Sequence, residues 1–130
     1  MSRKERYGTR DLTYSAWHRL LDDSLTYIDI DDVEYCQRCR QSLALIETAQ
    51  DVGQPFKATI VTRRLAQRAQ VPAFLVFYRK ADMGLIDQFR IRQIYPTYSQ
   101  QDQIIAPPDY AALLMKLRTN HHCNGVPTNA

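Results

Sequence analysis

The 130-residue chain is short of the residues that usually carry scaffolding or nucleophilic chemistry in a small protein. Its three cysteines cannot all pair within one chain, which excludes a disulfide scaffold and fits a reduced compartment. Its three histidines leave a gap from His18 to His121, so Ser-His-Asp and Cys-His hydrolase arrangements lack a base. Four glycines exclude a collagen-like chain. No apolar run approaches the roughly 20 residues that cross a bilayer. The charged start, Met1 to Arg6, has no apolar segment behind it, so no secretory signal is expected. These absences predict a cytoplasmic protein that does not engage membranes. Internal repeats and low-complexity blocks are also missing.

What remains is a composition that can build a core: 45% hydrophobic and 24% charged. The length allows one domain, expected over residues 13–118, with a loose basic arm over 1–12 and a polar tail over 119–130. The net charge of +3 conceals a strong asymmetry. Residues 22–51 carry eight acids against Arg38 and Arg40, a net of −6. Residues 57–92 carry eight bases against Asp82 and Asp87, a net of +6. An acidic cluster beside a basic surface suits a protein that holds a divalent metal and meets a polyanion; two mutually attracting halves give the same asymmetry.

Periodicity predicts a helix from Thr13, with Trp17, Leu20 and Leu21 on one face. Residues 25–36 alternate as a strand whose phase shifts at Asp31-Asp32, as a bulge or tight turn would. Leu43 to Ala49 is nearly continuous in apolar residues, the mark of a strand buried on both faces. A helix is expected over 58–70, with Ala58, Val61, Leu65 and Ala69 at helical spacing, ended by Val71-Pro72. Strands follow at 73–78 and 86–95, and Pro107-Pro108-Asp109 opens a last helix. The fold class is therefore α/β or α+β, a mixed central sheet flanked by helices.

Glu47 stands out because it interrupts Leu-Ala-Leu-Ile. A charge buried there must be paired with an arginine or bound to metal. Metal-assisted phosphodiester cleavage needs carboxylates converging at one sheet edge, and Glu47 with an aspartate from the preceding strand supplies them. The segments Tyr27-Ile-Asp-Ile-Asp-Asp-Val-Glu-Tyr35, Leu43-Ala-Leu-Ile-Glu47 and Phe74-Leu-Val-Phe-Tyr78, with a helix before the last, resemble the PD-(D/E)XK nuclease superfamily. The resemblance covers roughly residues 13–95 and rests on pattern more than on identities.

It implies a restriction-endonuclease-like core and a DNA endonuclease of phage or mobile-element type using Mg²⁺ or Mn²⁺. Asp31 would be the metal-binding aspartate, with Asp29 and Asp32 as alternatives, and Glu47 the second ligand. The family's usual lysine is replaced by Ala49. Lys57 is the nearest substitute, ahead of Arg63, Arg64 and Lys80. The same departure fits an inactive module that keeps the fold and binds DNA or a protein. In the family the first helix often lends an acid, a place held here by His18 or Asp22. Cutting both strands would take a homodimer.

Cys36-Gln-Arg-Cys39 has zinc-knuckle spacing but supplies only two of four ligands. Cys123 with His121 or His122 would complete a Zn²⁺ site and staple the tail to the turn; reduced thiols beside a loose tail are the alternative. Arg63, Arg64, Arg68, Arg90 and Arg92 are the candidate phosphate contacts. The basic helix is no helix-turn-helix reader, because a buried strand follows where a recognition helix would stand.

Overall fold

A computed structural model describes residues 12–123. The arm expected over 1–12 lies outside the described residues except for Leu12, as does the tail beyond Cys123. In chain order the elements are α1 (Thr13–His18), β1 (Asp32–Tyr35), β2 (Ser42–Gln50), α2 (Ile60–Ala69), β3 (Ala73–Lys80), β4 (Ile86–Tyr95), β5 (Gln103–Ile105) and α3 (Pro107–Thr119). The five strands form one mixed sheet in the order β1-β2-β3-β4-β5. Only the β2–β3 pair is parallel, and α2 is its crossover. Among the described residues no helix is long and apolar enough to cross a membrane.

Side-chain alternation sends the central strands' apolar residues to both faces, which makes three layers. On one face Leu45, Leu75, Phe77 and Ile94 pack with Ala66 of α2. On the other, Ala44, Ile46, Phe74, Val76 and Ile91 meet Tyr110, Leu113, Leu114 and Leu117 of α3. The opening of α3 follows from Pro107-Pro108 at its start and Asp109 in its first turn, with Lys116 and Arg118 in its last turn favouring the other end. The end of α2 is a Schellman motif: Val71 N–H donates to Ala66 O at 3.1 Å and Gln70 N–H to Gln67 O at 3.3 Å.

The structure departs from the periodicity reading in five places. The first helix stops at His18 and buries none of its residues. The expected strand over 25–36 shrinks to Asp32–Tyr35, because Asp31 leaves the ladder and uses its carboxylate Oδ2 to accept the Thr48 N–H at 2.9 Å. The register irregularity lies between Glu34 and Tyr35 rather than at Asp31-Asp32. The α2 helix is turned by about one residue: Thr62 and Ala66 are buried, while Val61 and Leu65 are 56% and 41% exposed. The short edge strand β5 lies in a stretch whose period was not read as a strand.

Candidate active site and cysteine cluster

The antiparallel register sets Asp32 opposite Ile46, which brings Asp31, one residue before β1, beside Glu47 and Thr48 of β2. Glu47 lies on the α2 face with Leu45 and Ala49, and is 4% exposed. Its Oε1 accepts the Thr62 hydroxyl at 2.6 Å, and its Oε2 accepts the Lys57 ammonium at 3.1 Å. Thus the buried charge that the sequence marks is paired with a lysine and a hydroxyl. Lys57 reaches in from the loop before α2. Its Nζ also donates to Asp31 Oδ2 at 2.5 Å and to Thr48 O at 2.9 Å, so all three of its protons are placed.

The electrostatics follow from those contacts. Desolvation works to raise the Asp31 carboxyl, but hydrogen bonds from Lys57 and the Thr48 N–H outweigh it and hold the group below the usual carboxylate range. Desolvation likewise works to lower Lys57, and its bonds to Asp31 and Glu47 win, holding the ammonium above its ordinary value. The net product is one positive charge inside a ring of three oxygens: Asp31 Oδ2, Glu47 Oε2 and Thr48 O. These are hard oxygen donors, and the position between them is filled by the lysine ammonium. Asp31 also lines an open groove of about 660 Å³, whose other walls are Tyr14 and Ser15 of α1 and Tyr27, Asp29 and Ile30.

The other sequence-predicted residues fall into distinct places. Asp32 and Glu34 line a cavity with Tyr110 on the α3 face of the sheet, the face opposite Glu47. Asp29 stands in the groove wall, without an ion pair among the described residues. His18 packs its ring 4.4 Å from that of Tyr27, and Asp22 accepts the Ser24 N–H at 2.8 Å. Arg64 and Arg68 are exposed on α2. Arg63 lies over the Tyr98 ring at 4.6 Å. Arg90 grips Asp51 through Nε at 3.1 Å and Nη2 at 2.9 Å, and Asp102 through Nη1 at 2.7 Å. Arg92 donates to Asp102 at 2.7 Å and to the Tyr98 hydroxyl at 3.3 Å. Arg90 and Arg92 therefore stand in a carboxylate network, apart in role from the exposed Arg64 and Arg68 of α2. Thr62 is the site residue that the sequence reading missed. Its signal is a small hydroxyl residue four positions before Ala66 in an amphipathic helix, a face that packs close beneath a buried carboxylate.

At the opposite end of β1 the three cysteines meet. Cys36, Cys39, His121 and Cys123 bring one ligand atom each within 4.8 Å of one another. The sulfurs of Cys36 and Cys123 are 3.7 Å apart, and Cys39 Sγ lies 3.1 Å from His121 Nε2. The cluster can hold a metal ion such as zinc. The Cys39 N–H, ahead of opposing desolvation, is the main cause that brings the Cys36 thiol down to about 7. Cys123 is pushed up to about 11, first by its hydrogen bond with Cys39. His122 is exposed and outside the cluster.

Compared with known proteins, the chain matches no family model, no curated protein and no solved structure.

Proposed function

We propose that this chain is a small metal-dependent DNA endonuclease of the PD-(D/E)XK kind. In this reading Asp31 and Glu47 are its Mg²⁺ or Mn²⁺ ligands and Lys57 stands in for the lysine missing at Ala49. The observation that carries the reading is the convergence of Asp31, Glu47 and the Thr48 carbonyl on one positive charge. A bound divalent ion would supply a water of lowered pKa and positive charge against the scissile phosphate. Asp31 and Glu47 orient the site, and Thr62 fixes the Glu47 rotamer from α2. Lys57 is about one-third exposed on a loop, placed to give up a carboxylate and to meet charge that develops on the phosphate. The groove beside Asp31 leads to the site, and the exposed Arg64 and Arg68 offer contacts to phosphates. A single site of this size cuts one strand, so double-strand cleavage takes a homodimer.

A second reading, an inactive module of the same fold, is favoured by a different feature of the same contacts. Lys57 pairs with both carboxylates at once. Incubation of supercoiled, linear and branched DNA with Mn²⁺ or Mg²⁺ separates the two. The nuclease reading expects nicking that disappears in Glu47→Ala and with chelator. Salt-sensitive DNA binding that ignores chelator, with no cleavage of any of these substrates, supports the inactive module.

A further inference from the structure

We propose that Cys36, Cys39, His121 and Cys123 form a closed zinc site that clamps the chain beyond α3 to the end of β1. The inference stands independently of the nuclease reading. Three observations carry it. First, the donor set is complete. Three thiols and an imidazole within 4.8 Å supply four ligands, which fills a tetrahedral ion and leaves no position for water or substrate. Bonds of about 2.3 Å to sulfur and 2.0 Å to nitrogen at tetrahedral angles imply sulfur–sulfur edges close to 3.8 Å. The Cys36–Cys123 separation of 3.7 Å is that edge, well beyond the length of a disulfide bond.

Second, the turn is shaped to aim two thiols at one point. The Arg40 N–H closes on Cys36 O at 2.7 Å, and the Cys36 N–H on Gln41 O at 2.8 Å. Arg40 holds a left-handed backbone with φ of 67°, a conformation that costs free energy in a residue with a side chain. Cys36 and Cys39 are 0% and 5% exposed, packed with Leu43. Third, the elements on either side need an anchor. Helix α3 buries no residue fully, and β1 is a four-residue edge strand exposed at three positions. The two halves of the cluster stand 82 and 87 residues apart in sequence, so joining them closes most of the domain into one loop.

The clamp is structural. Residues 31 and 36 bracket β1, and five residues of extended chain span roughly 16 Å, which keeps the ion away from the Asp31 carboxylate. Its effect on that carboxylate is positional, through the strand.

The test is metal analysis of the full-length protein as purified, followed by Co²⁺ exchange. One zinc per chain that survives dialysis, and a cobalt spectrum with tetrahedral bands and thiolate charge transfer, are expected. An outer partner of a metal ligand is already worth about 10–100-fold in affinity, so His121→Ala and Cys123→Ser should each weaken zinc by more than about tenfold. His121→Cys should restore tight binding, and His122→Ala should leave it unchanged. Chelation should lower the melting temperature by several degrees and speed amide exchange in α3 and β1 before β2 and β3. Failure of the purified chain to take up added Zn²⁺, or equal affinities in wild type and Cys123→Ser, would overturn the site. A chelated protein with unchanged melting and unchanged exchange in α3 would overturn the clamp.

Discussion

Lys57 and Asp31, 26 residues apart in sequence, are joined at 2.5 Å, and the same ammonium sits 3.1 Å from Glu47. One cation thus bridges two carboxylates that would otherwise repel across the β1–β2 pair. On the proposed nuclease reading Lys57 occupies the place a divalent ion would take, so its removal should separate binding from chemistry. Lys57→Met is expected to bind Mn²⁺ more tightly than wild type, since the carboxylates lose their internal competitor. On that reading the same variant loses DNA cleavage, since the positive group meant for the phosphate is gone. Calorimetric titration with Mn²⁺ beside a plasmid-nicking assay reads both effects. Weaker Mn²⁺ binding in a folded Lys57→Met would show that the ammonium organises the carboxylates rather than competing at them.

Thr62 contributes a hydroxyl bond of 2.6 Å to a nearly buried carboxylate. Bonds to charged groups are worth about 1.5–3 kcal/mol, and Thr62→Val keeps the shape while deleting the donor. Urea unfolding should show a loss of that size in Thr62→Val, with little loss in Thr62→Ser. The denaturant slope should stay constant, since the compactness of the fold does not depend on this bond.

The candidate site was legible in the sequence because Glu47 violates its surroundings: an acid in a run of buried aliphatics demands a partner. The central strands, β2 and β3, were legible for the related reason that runs buried on both faces leave few alternatives. Choosing Asp31 over Asp29 and Asp32 was beyond the pattern, because the choice turns on the Thr48 N–H across the strand pair. The face of α2 was misread for a physical reason. Val61 and Leu65 are the more apolar choice, but a helix packed over the Glu47 carboxylate presents Thr62 and the small Ala66 instead. The meeting of Cys36, Cys39 and Cys123 with a tail histidine was legible from spacing and chemistry, but the choice of His121 over His122 was not. That choice depends on where α3 ends, at Thr119.

Gln70 caps α2 in the left-handed conformation, with φ of 58° and ψ of 44°. Glycine is the usual residue at such a cap, since it has no Cβ to clash. Gln70→Gly should therefore raise stability by about 0.5–1 kcal/mol despite the added flexibility of the unfolded chain. Gln70→Val should destabilise, because a branched side chain resists positive φ. Thermal melts of the two variants beside wild type read opposite signs.

The Arg90 network should govern the acid limb of stability. Bonds from Arg90, then the Gly53 N–H, hold the Asp51 carboxyl below its ordinary 3.8. Desolvation opposes the same effect at Asp102, where bonds from Arg90 and Arg92 prevail and also lower the carboxyl. Both groups are depressed on folding, so in the window below about pH 4 the unfolded chain binds more protons and stability falls as the pH is lowered. Their contribution is complete above the ordinary carboxylate range and disappears as pH drops through the lowered folded values. Asp102→Asn should start lower at neutral pH and lose less between about pH 5 and pH 3 than wild type, so the two melting curves converge in acid. Arg90→Met is the harsher change, because it strands Asp51, whose side chain is 16% exposed, and leaves Asp102 to Arg92 alone. A loss on the order of 3 kcal/mol at neutral pH is expected, shrinking in acid as the stranded Asp51 carboxylate protonates. Parallel melting curves for wild type and both variants across the whole range would remove the network from the account of stability.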